Sequence, residues 1–107
     1  MEVGVSITTV PDGAAPSFTV SEARPNPFSD ATHLDVTLSS AATVQVQVFD
    51  VAGRRVSVER YASMPVGTHA LRVLSSNTKG QRLSSGVYFC RVTAGSETIT
   101  RKLVIAR

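Results

Sequence analysis

Ser85-Gly86-Val87-Tyr88-Phe89-Cys90-Arg91-Val92, a polar break at Gly95-Ser96-Glu97, then Thr98-Ile99-Thr100-Arg101-Lys102-Leu103-Val104-Ile105-Ala106-Arg107 is the stretch whose reading decides the fold. Two runs rich in β-branched and aromatic residues, joined by a Gly-containing break, read as a β-hairpin. The second run continues to the last residue of the sequence. A terminus built into a strand is expected to matter for the structure and also as a signal.

Upstream of the hairpin the same alphabet repeats. Residues 74–82 form a polar loop with Ser75, Ser76, Asn77, Lys79 and Gly80, and before it His69, Leu71 and Val73 share one strand face. Pro65-Val66-Gly67 is a break. Val44-Gln45-Val46-Gln47-Val48 alternates with Val inward and Gln outward, and Val56 and Val58 return as its hairpin partner. In the turn between them Asp50 can bond the turn backbone and Gly53 supplies positive φ. Residues 32–39 place Leu34, Val36 and Leu38 on one face and His33, Asp35 and Thr37 on the other. Such alternation marks half-buried antiparallel strands with one wet face.

Arg24-Pro25-Asn26-Pro27-Phe28 is a stiff corner, because two prolines fix φ and remove two donors. The Phe28 ring is expected to plug one end of the core. Ser17-Phe18-Thr19-Val20 reads as a short first strand. Residues 1–16 carry Val3, Val5 and Ile7 in alternation and then Pro11-Asp12-Gly13-Ala14-Ala15-Pro16. They read as a linker or remnant of an upstream protein, with 3–9 an extra edge strand, a strand donor to a neighbour, or part of that connection. Met1-Glu2 has the look of an excised fragment's beginning.

About seven short strands at roughly ten-residue spacing, with no helical period, specify an all-β fold. The expectation is a seven-stranded antiparallel Ig-like β-sandwich over residues 17–107. It lacks the Cys…Trp…Cys signature of antibody-type domains.

Composition narrows function. At 107 residues and 42% apolar the chain is one small domain with a core of its own. No apolar run approaches the roughly 20 residues of a membrane-spanning helix, and no basic segment followed by an apolar one opens the chain as a secretory signal peptide. Charge is lopsided. Residues 1–50 hold Arg24 against six acids, whereas residues 51–107 hold ten Lys/Arg against Glu59 and Glu97. Such asymmetry either marks an anionic partner for the second half or reflects attraction between two halves of one sandwich.

Chemistry is hard to find. Cys90 is the only cysteine, sits in a strand pattern with no base beside it, and reads as a structural thiol. His33 and His69 have no metal-ligand spacing, and no Gly-x-Ser-x-Gly elbow is present. Asp35 shares an outward face with His33, which reads as a solvated strand face. Asp30 lies near the exposed carbonyls of the Pro corner, but no spaced acidic loop supplies the six to eight oxygens calcium takes. The basic residues lack interleaved aromatics, so nucleic acid is not an expected partner. An anionic cell-surface glycan would use the same charges. No cofactor, metal or catalytic residue is expected.

Taken in order, the motifs are Pro25-Asn26-Pro27-Phe28, the alternating strand around Leu34 and Leu38, and Val46-x-Val-Phe-Asp-Val-x-Gly-Arg54. Pro65-x-Gly67, Ser85-Gly86-Val87-Tyr88 and Lys102-Leu103-Val104 follow. Over about residues 22–107 this order resembles the C-terminal sorting domain (type A) of cargo proteins of the type IX, or Por, secretion system of Bacteroidetes and related bacteria. The resemblance implies an Ig-like sandwich ending a larger exported protein. It also implies passage of an upstream cargo domain from the periplasm through the outer membrane by the type IX translocon. Cleavage by a sortase-like peptidase and attachment at the cell surface often follow in that family. The family's Gly-x-Tyr motif falls on Gly86 and Tyr88, its late Lys motif on Lys102 with Leu103 and Val104, and its Pro-Asn-Pro start on Pro25, Asn26 and Pro27. Asp50 and Gly53 join these as structural motif residues.

The physics of the residues stands beside that resemblance. Tyr88 can bury its ring while its hydroxyl bonds a corner, and Lys102 can put charge on a sheet edge. Gly86, Tyr88, Leu103 and Ile105 are therefore expected to hold the sandwich closed, with Lys102 and the end at Arg107 exposed to be read. Two other readings share the architecture. The Ig-like part of flagellar hook-cap proteins commonly has a Trp-Asp-Gly run that Val73-Leu74-Ser75-Ser76 does not match. A glycan-binding or adhesive accessory module of a secreted enzyme is the alternative from another functional class.

Overall fold

Strands form wherever apolar and polar residues alternate, and a computed structural model describes them over residues 18–107. The expectations for residues 1–16, including a strand at 3–9, lie outside the described residues. The strands are β1 (Phe18–Val20), β2 (Ala31–Leu38), β3 (Ala42–Asp50), β4 (Arg55–Met64), β5 (Gly67–Leu74), β6 (Gly86–Ala94) and β7 (Glu97–Ile105). They build two antiparallel sheets, ordered β1-β2-β5 and β4-β3-β6-β7. The all-β sandwich expected from the alternation is what forms.

Successive side chains of a strand point to opposite faces, so each alternating run contributes one apolar row to the interior. Leu34, Val36 and Leu38 of β2 meet Val44, Val46 and Val48 of β3, with Leu71 and Val73 from β5 and Val92 from β6. Tyr88, Cys90, Leu103 and Ile105 complete the core of the larger sheet, and Phe28 is buried with them. Each such side chain contributes about 1.5–3 kcal/mol on full burial.

Cys90 has no solvent exposure, and desolvation by burial pushes its thiol up from 9.0 to about 12. A raised folded-state pKa favours the neutral thiol, so its contribution is complete below the unfolded value and is lost as pH rises toward 12. Iodoacetamide at pH 8 is expected to leave the native protein unlabelled and to label it in denaturant. Rapid native labelling would show that the β6 core opens readily.

The strand directions sort the connections into two ends. β3, β5 and β7 finish, and β2, β4 and β6 begin, at the same end of the sandwich. That end gathers the Pro corner, the 50–54 turn, residues 75–85 and residues 106–107. Pro65 and Gly67 belong to the opposite end.

Two polar side chains are buried there, and both are satisfied. The Thr32 hydroxyl donates to Pro25 O at 2.7 Å, and the Ser75 hydroxyl donates to Ser29 O at 2.7 Å. The polar loop is thus partly interior, since Ser75 is buried and its backbone N–H donates to Asp30 O. Beyond it Asn77 Oδ1 accepts the backbone N–H groups of Lys79 and Gln81, closing a local turn.

Candidate recognition site

β7 is an edge strand, and an edge leaves backbone N–H and C=O groups without ladder partners. The Pro corner covers part of that edge. Both peptide bonds preceding proline, Arg24–Pro25 and Asn26–Pro27, are cis. Asn26 Nδ2 donates to Lys102 O at 3.1 Å, and Val104 N donates to Asn26 Oδ1 at 2.8 Å. One residue pair later the main chain takes over, with Phe28 N donating to Val104 O and Ala106 N to Phe28 O. A side-chain amide followed by one residue of backbone thus stands in for a missing strand. The Pro-Asn-Pro motif and the late Lys motif, 76 residues apart in sequence, form one unit.

Asn26→Ala removes a donor and an acceptor at once. At about 0.5–1.5 kcal/mol per hydrogen bond, a loss of about 1–3 kcal/mol is expected in urea unfolding. Asn26→Asp keeps the acceptor for Val104 N and should lose less. Equal losses for the two variants would show that the amide donor to Lys102 O carries the effect.

The Gly-x-Tyr motif lies on the neighbouring strand. Gly86 opens β6 opposite Ile105, and Tyr88 stands opposite Leu103. The Tyr88 ring is buried and its O–H donates to Ser84 O at 2.8 Å, the corner bond expected for it. Leu103 is buried beneath it and Val104 is half-buried.

Arg107 is tied down rather than free. Its Nε donates to Leu83 O (2.9 Å), Nη1 to Ser29 O (3.2 Å), and Nη2 to Ser75 O (2.8 Å) and Ser75 Oγ (3.0 Å). Its backbone N donates to Ser85 Oγ at 3.1 Å. One guanidinium fork therefore ties the β1–β2 connection, at Ser29, to both ends of the β5–β6 connection, at Ser75 and Leu83. Lys102 differs. It is exposed on the outward face of β7, opposite Phe89, and takes part in neither of the two described ion pairs, Arg24–Asp35 and Arg54–Asp50.

The 50–54 turn closes the same end. Asp50 accepts the backbone N–H groups of Arg54 (2.9 Å) and Ala52 (3.0 Å) and the Arg54 Nε (2.9 Å). The Arg54 backbone N–H is the main reason its pKa lies below the ordinary 3.8. Gly53 sits at φ +85°, a backbone conformation that other residues adopt only with strain.

One tie had its signal in the sequence and went unread there. Arg101 occupies an inward register opposite Cys90, where a charge needs a partner. Its Nε and Nη2 reach across the sandwich to Val20 O at 3.1 and 2.8 Å, joining the two sheets at the β1–β7 margin. Among the described residues no group of three or more His, Cys, Asp or Glu could hold a metal ion.

With this geometry in place, the secretion system C-terminal sorting domain family matches residues 23–106. The chain belongs to that family. It is a sorting domain of type IX secretion, whose cargo is exported across the outer membrane to the cell surface or beyond. The match begins at Ala23, just before the Pro corner, and takes in every motif the structure gathers at one end. No curated protein matches.

Among solved structures, dimeric latent PorU from Porphyromonas gingivalis is similar over 92% of this chain and 10% of its own, at TM-score 0.61 and 21% identity. FlgD from Xanthomonas campestris, a protein of flagellar hook capping, is similar over 83% of this chain and 62% of its own, at TM-score 0.56 and 18% identity. The chain thus spans a tenth of one and less than two thirds of the other. Likeness at these identities is a likeness of fold, shared by the sorting domain and the hook-cap protein alike.

Proposed function

We propose that the secretion machinery reads the end of the sandwich that carries residues 25–28, 86–88 and 102–107, and that the domain performs no chemistry itself. Lys102 is the residue read, while Tyr88, Leu103, Asn26 and Arg107 hold the surface around it in shape. The observation that carries this reading is the contrast along one strand. Lys102 presents its ammonium to solvent, whereas Leu103 is buried, the Val104 N–H is bonded to Asn26, and the Arg107 fork is bonded to Ser75.

The partners that fit are the type IX translocon and a sortase-like peptidase, with residues 1–16 as the linker from the upstream cargo and the segment cut. Pro11-Asp12-Gly13-Ala14-Ala15-Pro16 has a linker's composition, and proteolytic cutting concentrates in linkers and termini.

The test is a reporter fused ahead of residues 1–107 in a host with type IX secretion and in the same host lacking it. Surface or medium reporter is expected in the first only, with a new N-terminus mapping before Ser17. Equal export from both hosts would overturn the reading.

A further inference from the structure

The outward face of the four-stranded sheet has a charge pattern that sorting does not require. Register assigns each charged residue of these strands to a face. Glu59 is opposite Val46, Asp50 opposite Tyr88, and Glu97 opposite Ala94, all in rows whose partners are buried. The outward rows instead hold Arg55 opposite Phe49, Arg60 opposite Gln45, Arg91 opposite Gln47, and Lys102 opposite Phe89. All the acids of β3, β4, β6 and β7 thus fall in inward rows, and four cations share the outer face. The other sheet is mixed, with Arg24 paired to Asp35 on its exposed side.

The cations are also organised. Arg91 lies over the Phe49 ring, its guanidinium carbon 4.6 Å from the ring centroid. Stacking holds the planar fork over the Phe49 ring, with its N–H edges able to donate to an oxyanion. Preorganisation of this kind reduces the entropy lost on binding. Gln45 and Gln47 lie between β4 and β6 on the same face and add donors and acceptors. Strands about 4.8 Å apart space these side chains regularly across the sheet.

We infer that this face binds an extended polysaccharide bearing repeated oxyanions, such as uronates or sulphates, laid across the strands. An acidic protein fits less well. Protein interfaces are built round an apolar centre, whereas the apolar pairs of this face, Phe49 beside Phe89 and Val87 beside Val104, lie toward one end of it, away from Arg60, Gln45 and Gln47. The more exposed Val51, Val66 and Leu74 lie on turns and on β5, away from it. The inference stands apart from the sorting reading, since binding and export are measured separately and the variants below spare Lys102.

The test titrates the purified 107-residue protein with alginate, dextran sulphate, neutral dextran and poly-glutamate by calorimetry at low and moderate salt. Binding to the two anionic polysaccharides is expected, weakening as salt screens the charges, with neutral dextran silent. Arg60→Gln and Arg91→Gln should each weaken it about tenfold, and Arg91→Lys, which keeps the charge but loses the fork, should fall between. Arg72→Gln on the other sheet should leave it unchanged. Thermal unfolding of each variant checks the fold, and Arg60→Gln, which disturbs no ring contact, keeps the test decisive if Arg91→Gln is unstable. Any of four results overturns the inference: no binding to either anionic polysaccharide, equal binding of neutral dextran, tighter binding of poly-glutamate, or equal loss from Arg72→Gln.

Discussion

Tyr88→Ala should cost about 3–5 kcal/mol, the range for deleting a buried aromatic side chain. A domain of this size is stable by only about 5–15 kcal/mol, so a large share of the protein would be unfolded at growth temperature. Tyr88→Phe separates the two parts of the role. It keeps the ring against Leu103 and removes only the 2.8 Å bond to Ser84 O, for about 0.5–1.5 kcal/mol. Urea midpoints compared at constant slope measure both. Export is expected to follow stability in this pair, absent for Ala and near normal for Phe. If Phe were as damaging as Ala, the corner bond rather than the packed ring would hold residues 84–88 in place. If Ala were folded yet not exported, Tyr88 would itself be read.

The strands were legible because each apolar row follows period two, and a one-residue slip would turn a whole row to solvent. Val44, Val46 and Val48 have little choice of face once Gln45 and Gln47 separate them. The turn at Asp50 and Gly53 was legible for a local reason, since an Asx turn is written in adjacent residues. What could not be read is what joins residues distant in sequence through one or two bonds. Nothing in Pro25-Asn26-Pro27 says that the Asn26 amide reaches β7 78 residues later. Arg107 is exposed, as its position suggests, but nothing local says that its fork is held by Leu83, Ser29 and Ser75, three carbonyls whose positions depend on the whole fold. The motifs were visible as a list, and their assembly at one end follows from strand direction, which periodicity alone does not fix.

Lys102→Ala should abolish export and leave stability within about 0.5 kcal/mol of the parent, as expected for an exposed side chain with no ion-pair or side-chain hydrogen-bond partner among the described residues. Its backbone carbonyl, which accepts from Asn26, survives any substitution, so the edge cover stays in place. Arg107→Ala gives the contrast. It removes the fork from four hydrogen bonds and should cost about 1–3 kcal/mol. Its export defect should therefore shrink at lower growth temperature, where more of the protein is folded, while that of Lys102→Ala should not. Lys102→Arg tests whether charge or shape is read, and recovery of export would favour charge. If Lys102→Ala unfolded the domain and ended export together, or if cooling rescued both variants equally, the end of the sandwich would serve the fold alone and the read residue would lie elsewhere.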